Sequence, residues 1–262
     1  YRPMSEAPTD GPLLSRSALA LIAVMLAAGL LGGWQTQKLV QEHQRARFDY
    51  ELQRIVAAVE QRMAAYGQVL RGGLGLFIAS DEVSRADWLR YVETLRLDQH
   101  YPGFKSLSFA VAVPAAELSA FVASVRRAPL PEGLADPALL REFTPRPPVE
   151  PGRPAAVEPP AIHSPILYVA PFTAENQRVL GVDMMQEPTR RAVMEAAVAS
   201  GEVTISPRLR LAASNGAQAG FIAYLAIQRE GRLLGWLTAA FRADDFMLGL
   251  LGDSPSPIAF EV

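Results

Sequence analysis

Cysteine is absent from the 262 residues. That excludes disulfide frameworks, thiolate metal sites, cysteine nucleophiles and a cysteine-linked lipid anchor. Histidine is scarce, with only His43, His100 and His163, far apart along the chain. No H-E-x-x-H, G-x-S-x-G or P-loop motif occurs. Nothing sets a nucleophile beside a base, so no catalytic residue, metal ligand or cofactor is assigned. The acidic neighbours Asp81-Glu82 and Asp244-Asp245 read as helix N-termini, where negative charge is favoured. Lysine is nearly missing too: Lys38 and Lys105 are the only two among 25 basic residues. A high-GC genome favours arginine and alanine in this way, so a single arginine carries little weight as an anion ligand. A charge excess is also lacking. The 25 basic and 27 acidic side chains leave a formal net charge of −2, which argues against a nucleic-acid partner. Half the residues are apolar and 20% are charged, too apolar a balance for a disordered chain. The length suits one large domain or two small ones.

What is present begins with an uncharged run, Ser17 to Trp34. As a helix it spans about 27 Å, close to a hydrocarbon core. Arg2 and Arg16 precede it, and Trp34 stands at its far edge as an interfacial anchor would. The run predicts a cytoplasmic tail over 1–16, a transmembrane helix over 17–34 and an extracytoplasmic remainder. A cleaved signal peptide and a buried soluble helix are the alternatives. The run is longer than a signal core, and no clean A-x-A site follows.

A stalk helix is predicted over 35–78. Phe48, Leu52, Val56, Val59, Met63, Tyr66 and Leu70 recur at spacings of three and four, close to a heptad seam. Such a seam serves either a second copy of the chain or the helix's own domain. The two uses can share one helix, with pairing near the membrane and packing further out. Gly72, Gly73 and Gly75 interrupt the seam.

The remainder, 79–262, reads as mixed α and β. Helices are expected from the Ser84–Asp87 capping box, over Pro114–Arg127, from Pro188 to Ser200 and over Asp244–Leu251. Strands are expected over Lys105–Val113, near Arg141–Thr144, and over Ile166–Phe172, Val179–Met184, Val203–Ser206, Phe221–Gln228, Leu233–Arg242 and Pro257–Val262. Glu230-Gly231 marks a hairpin turn. Ten of the 21 prolines fall within 128–160, predicting an irregular surface segment. A chain that stops inside a probable strand suggests continuation beyond Val262.

One ordered set of residues goes further. Tyr101-Pro102-Gly103 precedes a strand. Asn176 comes before Leu180, Gly181 and Asp183, followed by Arg191 in a helix, then Gly201 and Ser206. This set resembles the CHASE family, the extracytoplasmic sensors of membrane histidine kinases and nucleotide cyclases, plant cytokinin receptors among them. The resemblance implies an α+β chain: an N-terminal transmembrane helix and a long stalk helix followed by tandem PAS-like α/β units. The membrane-distal unit would hold a ligand between its sheet and loops. It also implies a second span and a cytoplasmic output domain, a histidine kinase or else a diguanylate cyclase or phosphodiesterase. Plant receptors hold the adenine ring with an aspartate on the strand after a Ser-Pro pair. Here the strand after Ser164-Pro165 carries Pro171 at that position, and proline has no N–H or carboxylate to offer.

A small-molecule pocket is mostly apolar with a few aimed polar groups. Phe109, Tyr168, Phe172, Thr204, Ser206, Phe221 and Tyr224 are the candidate ligand-binding residues. Thr204 and Ser206 are the nearest counterparts of a pocket threonine in the plant receptors. Asp183, Gly181 and Gly201 read as structural, Asp183 as a cap on free backbone N–H groups. Arg190 and Arg191 read as surface or ion-pair residues, with anion binding as the lesser alternative. The expected partners are an unidentified small molecule, a membrane and a second copy through the stalk. The expected location is the inner membrane with a periplasmic sensor. The rival readings are a structural dimer module that binds no small molecule and, with less support, a periplasmic enzyme.

Overall fold

In a computed structural model of the chain, residues 16–148, 159–214 and 218–251 are described. By packing, the chain divides into 1–57 and 58–262. The first helix, α1, runs from Arg16 to Ala79. Within 16–57, Leu21, Val24, Met25, Leu26, Leu30, Leu31 and Trp34 are exposed, as are Phe48, Leu52 and Val56. Among the described residues, no helix is long and apolar enough to cross a membrane. The expected span at 17–34 lies inside α1.

The second unit is built on an antiparallel sheet. Its strands are β1 (Phe104–Val111), β4 (Ile166–Ala170), β5 (Thr204–Ile205), β6 (Leu209–Arg210), β7 (Ala219–Arg229) and β8 (Arg232–Arg242). They lie in the order β4-β1-β8-β7-β5, with β6 also on β7. A small ribbon pairs β2 (Val113–Pro114) with β3 (Ile162–His163). The β7–β8 hairpin closes on Glu230 and Gly231, both at positive φ (53° and 77°). Two left-handed residues give the turn whose twist suits a hairpin.

The central strands are buried on both faces, so they read as nearly continuous apolar runs. On one face Leu107, Phe109, Ala223, Leu225, Leu237 and Phe241 pack against Tyr66, Leu70 and Phe77 of α1 and Trp88 and Val92 of α2 (Arg85–Leu95). On the other, Ala110, Ile222, Tyr224, Ala226 and Trp236 pack against Met194 and Ala197 of α7 (Pro188–Ser200) and the turns before it. Short helices complete the unit: α3 (Leu97–His100), α4 (Leu118–Arg127), α5 (Ala138–Arg141), α6 (Ala174–Gln177) and α8 (Ala243–Leu251).

Several expectations change. The described residues hold one main sheet where tandem units were expected; its two covered faces account for both apolar clusters. The α1 helix continues through Gly72, Gly73 and Gly75. A side chain at Gly72 would meet the Tyr91 hydroxyl at 2.6 Å, and one at Gly73 would meet Leu237 at 3.0 Å, so these glycines let the helix sit close to α2 and the sheet. The strand expected near 141–144 is instead the last residue of α5 and the turn and irregular chain after it, with Asp136 capping the Ala138 N–H at the start of that helix. The strand expected over 179–184 is a turn: Gly181 takes φ +79°, leaving only isolated bridges at Val182 and Asp183. The strand expected over 257–262 and part of the proline-rich segment lie outside the described residues.

Candidate ligand site

The sheet face opposite α1 encloses a cavity of about 30 Å³. That is room for one or two waters. Apolar residues from β4, β7 and the turns make most of its wall, and the polar part comes from three elements. Ser106 and Ser108 on β1 and Thr238 on β8 point into it, all at least 95% buried. Ser108 and Thr238 are register partners on adjacent strands. Three hydroxyl side chains thus line one small space. A few polar groups aimed into a mostly apolar space are the pattern of a small-molecule site, so these hydroxyls mark a place for a polar guest.

Two cations join them. Lys105 would face away from Ser106 in a regular strand, because successive side chains alternate. The β1–β8 register slips between Phe104 and Ser106, and this irregularity brings both side chains to the cavity wall. Asn176 steadies the place, its Nδ2 donating to the Lys105 and Pro171 carbonyls at 3.3 and 3.0 Å. Lys105 pairs with Glu175 of α6. Arg190 on α7 is 1% exposed; its Nη2 donates to the Arg210 carbonyl at 2.9 Å, and Nε lies 3.9 Å from Glu187. Glu187 is committed to the start of α7, accepting from the Thr189 and Arg190 amides. Of the two readings expected for Arg190, surface or ion-pair residue, the first is corrected because the residue is buried in the core, and the contact with Glu187 fits the second.

The turn over the cavity is tightly held. Asp183 is wholly buried and accepts from the Ser164 and Met185 amides at 2.8 and 3.2 Å. Its other oxygen meets Gln186 Nε2 at 2.9 Å and His163 Nδ1 at 2.6 Å. Arg191 donates from Nε to the Met185 carbonyl at 2.7 Å. A Cβ on Gly181 would come within 3.0 Å of Arg146 Nη1, and Arg146 itself donates to the Leu180 and Arg178 carbonyls. Burial holds the Arg146 guanidinium below its ordinary pKa. Met184 of this turn lines the cavity, while Met185 lines a neighbouring cleft of about 230 Å³ with Trp236, Leu233, Ile162 and Val198.

The seven candidates from sequence do not gather at one place. Tyr224 is buried on the cavity side, its hydroxyl 3.6 Å from Met184 Sδ. Thr204 donates to the Val193 carbonyl, and Ser206 Oγ accepts from the Ile222 amide and donates to the Pro207 carbonyl. Phe109, Tyr168 and Phe221 belong to the α1 side of the sheet. Tyr168 stacks under Arg85 and donates to the Val83 carbonyl; burial raises the pKa of its phenol, and burial lowers that of Arg85. Phe172 lines a larger groove of about 540 Å³ with Leu89, Val92 and Pro171. The polar residues of that groove, Glu93, Arg96, Asp98 and Gln99, are exposed to solvent, so no buried polar group converges on it. Gly201 ends α7 at φ +67°, as its structural reading requires. The residues of this candidate site that sequence reasoning missed are Ser106, Ser108, Thr238 and Lys105, while Arg190 entered it only through the lesser, anion-binding alternative. Small hydroxyls inside an apolar strand were the available signal.

A long helix on one face of an antiparallel sheet and a polar-lined cavity on the other describe a sensor-type α+β domain. The family model of the CHASE domain matches residues 81–262. The chain therefore belongs to the CHASE family, whose domains are extracytoplasmic sensor modules of signalling receptors. No curated protein matches the chain. The family residues Asn176, Gly181, Asp183 and Arg191 are the ones that fix the β1 irregularity and the Met184–Met185 turn.

Proposed function

We propose that the chain is the ligand-sensing module of a membrane-bound bacterial receptor, and that a small molecule binds in the cavity between β1, β8 and the 182–187 turn. The observation that carries this reading is the convergence of three hydroxyl residues, each at least 95% buried, with Lys105 and Arg190 on one otherwise apolar cavity. The uncharged run 17–34 supplies the membrane anchor, with the sensor on the periplasmic side. The exposed seam residues Phe48, Leu52 and Val56 support pairing with a second copy. A ligand shifts such a pair only through unequal affinity for two arrangements. The route outward runs across β8: Thr238 lines the cavity, and its neighbour Leu237 packs on the far face beside Gly73 of α1. The change would pass to a cytoplasmic histidine kinase, with a cyclase or phosphodiesterase as the second candidate output.

A thermal-shift screen of the detergent-solubilised chain against a metabolite library tests this. The expected result is at least one compound that raises the melting temperature with its concentration, since a ligand that binds only the folded state stabilises it by mass action. A folded, monodisperse sample with no response across the library would overturn it in favour of a purely structural module.

A further inference from the structure

The cavity and the cleft beside it are parts of one sheet face. Trp236 lines the cleft, and Thr238 lines the cavity. They are two residues apart on β8, so they share a face at roughly 7 Å spacing. Met184 and Met185, consecutive in the covering turn, line the cavity and the cleft respectively. A two-methionine turn is therefore the partition between them. Methionine is unbranched and adapts its shape to a guest more readily than other apolar side chains.

The two compartments differ in chemistry. The inner one carries Lys105, Arg190 and the hydroxyls of Ser106, Ser108 and Thr238, and no carboxylate lines it. The outer one is mostly aliphatic and aromatic, with Arg191 and Glu195 as its charged members. Together they approach the lower end of the volume range of small-molecule sites, about 300 Å³. Resting on the sensor reading above, we infer that the ligand is an amphipathic organic acid. Its carboxylate enters the inner compartment among the hydroxyls and the two cations, and its apolar tail lies in the cleft against Trp236 and Met185. Each cation also faces a glutamate outside the inner lining, Arg190 with Glu187 at 3.9 Å and Lys105 with Glu175, so the guest's carboxylate shares the cations with them. Hydrogen bonds to an ionised group are the stronger class, which makes an anionic head the guest these donors discriminate best.

The test titrates the detergent-solubilised chain with hexanoate and phenylacetate, with their primary amides as neutral isosteres, and with acetate as the head alone. Thermal shift and tryptophan emission are both read. The acids are expected to raise the melting temperature and perturb the emission, with the amides and acetate at least about tenfold weaker, the loss expected when a charge-assisted contact or a buried tail is removed. Thr238→Val and Ser108→Ala preserve shape and are expected to weaken acid binding about tenfold each on the same grounds. Equal binding of acids and amides, or acid binding untouched by both variants, would overturn the inference. If the acids fail while a neutral library compound binds with sensitivity to Thr238→Val, the ligand class is wrong and the sensor reading survives. Failure of every compound removes both.

Discussion

Asp183 illustrates how much one side chain carries. Four donors converge on a carboxylate that has no solvent exposure. Removing it strands two buried amides and the His163 and Gln186 side chains. Asp183→Ala is expected to cost about 3 kcal/mol or more of unfolding free energy, on the scale for unsatisfied buried donors; a loss under about 1 kcal/mol in chemical denaturation would contradict the capping role. A second residue-scale prediction concerns pH. The Ser84 hydroxyl and amide, at the start of α2, donate to the Asp87 carboxylate and hold its pKa below the usual 3.8. A carboxyl depressed in the folded state contributes stability above its unfolded pKa and loses it as pH falls through the folded value. The stability gap between the wild-type chain and Asp87→Asn should therefore be full above about pH 4 and shrink below it. A gap that grows on acidification would contradict the capping box.

At the scale of elements, the heptad seam changes from exposed to buried along α1. Phe48, Leu52 and Val56 are exposed, whereas Tyr66 and Leu70 are buried against the sheet. The apolar stripe was legible in the spacing, but which stretch packs on the sheet was not, because pairing and packing demand the same stripe. The β7–β8 hairpin was legible for a local reason, the Glu230-Gly231 turn. The proposed ligand site was not. Aromatic residues were its best sequence candidates, yet the fold spends Phe109, Tyr168 and Phe221 on the face that receives α1. Adjacent Arg190 and Arg191 look alike in sequence, and only the packing of α7 decides that the first is buried. The absence of cysteine makes the paired-stalk proposal directly testable. Leu52→Cys should form a disulfide between two copies under mild oxidation, at a rate that a bound ligand changes. Gly73→Leu, which crowds Leu237, should abolish that change while leaving crosslinking itself intact. No crosslink at position 52 in the membrane-inserted chain would contradict pairing through the seam.

For the molecule as a whole, the arrangement is a sheet read from two sides. One side offers hydroxyls and cations to a closed space, and the other grips the helix that leads to the exposed seam. Family membership over 81–262 explains why Asn176, Gly181, Asp183 and Arg191 occur together: each fixes a part of the cavity's rim or of the turn above it. Amide hydrogen exchange with and without a compound found by thermal shift tests most directly that this cavity is where sensing begins. Protection is predicted to concentrate in residues 182–187 and in the cavity-lining stretches of β1 and β8. Protection centred instead on the 89–99 groove of α2 and α3, or confined to neither place, would contradict it.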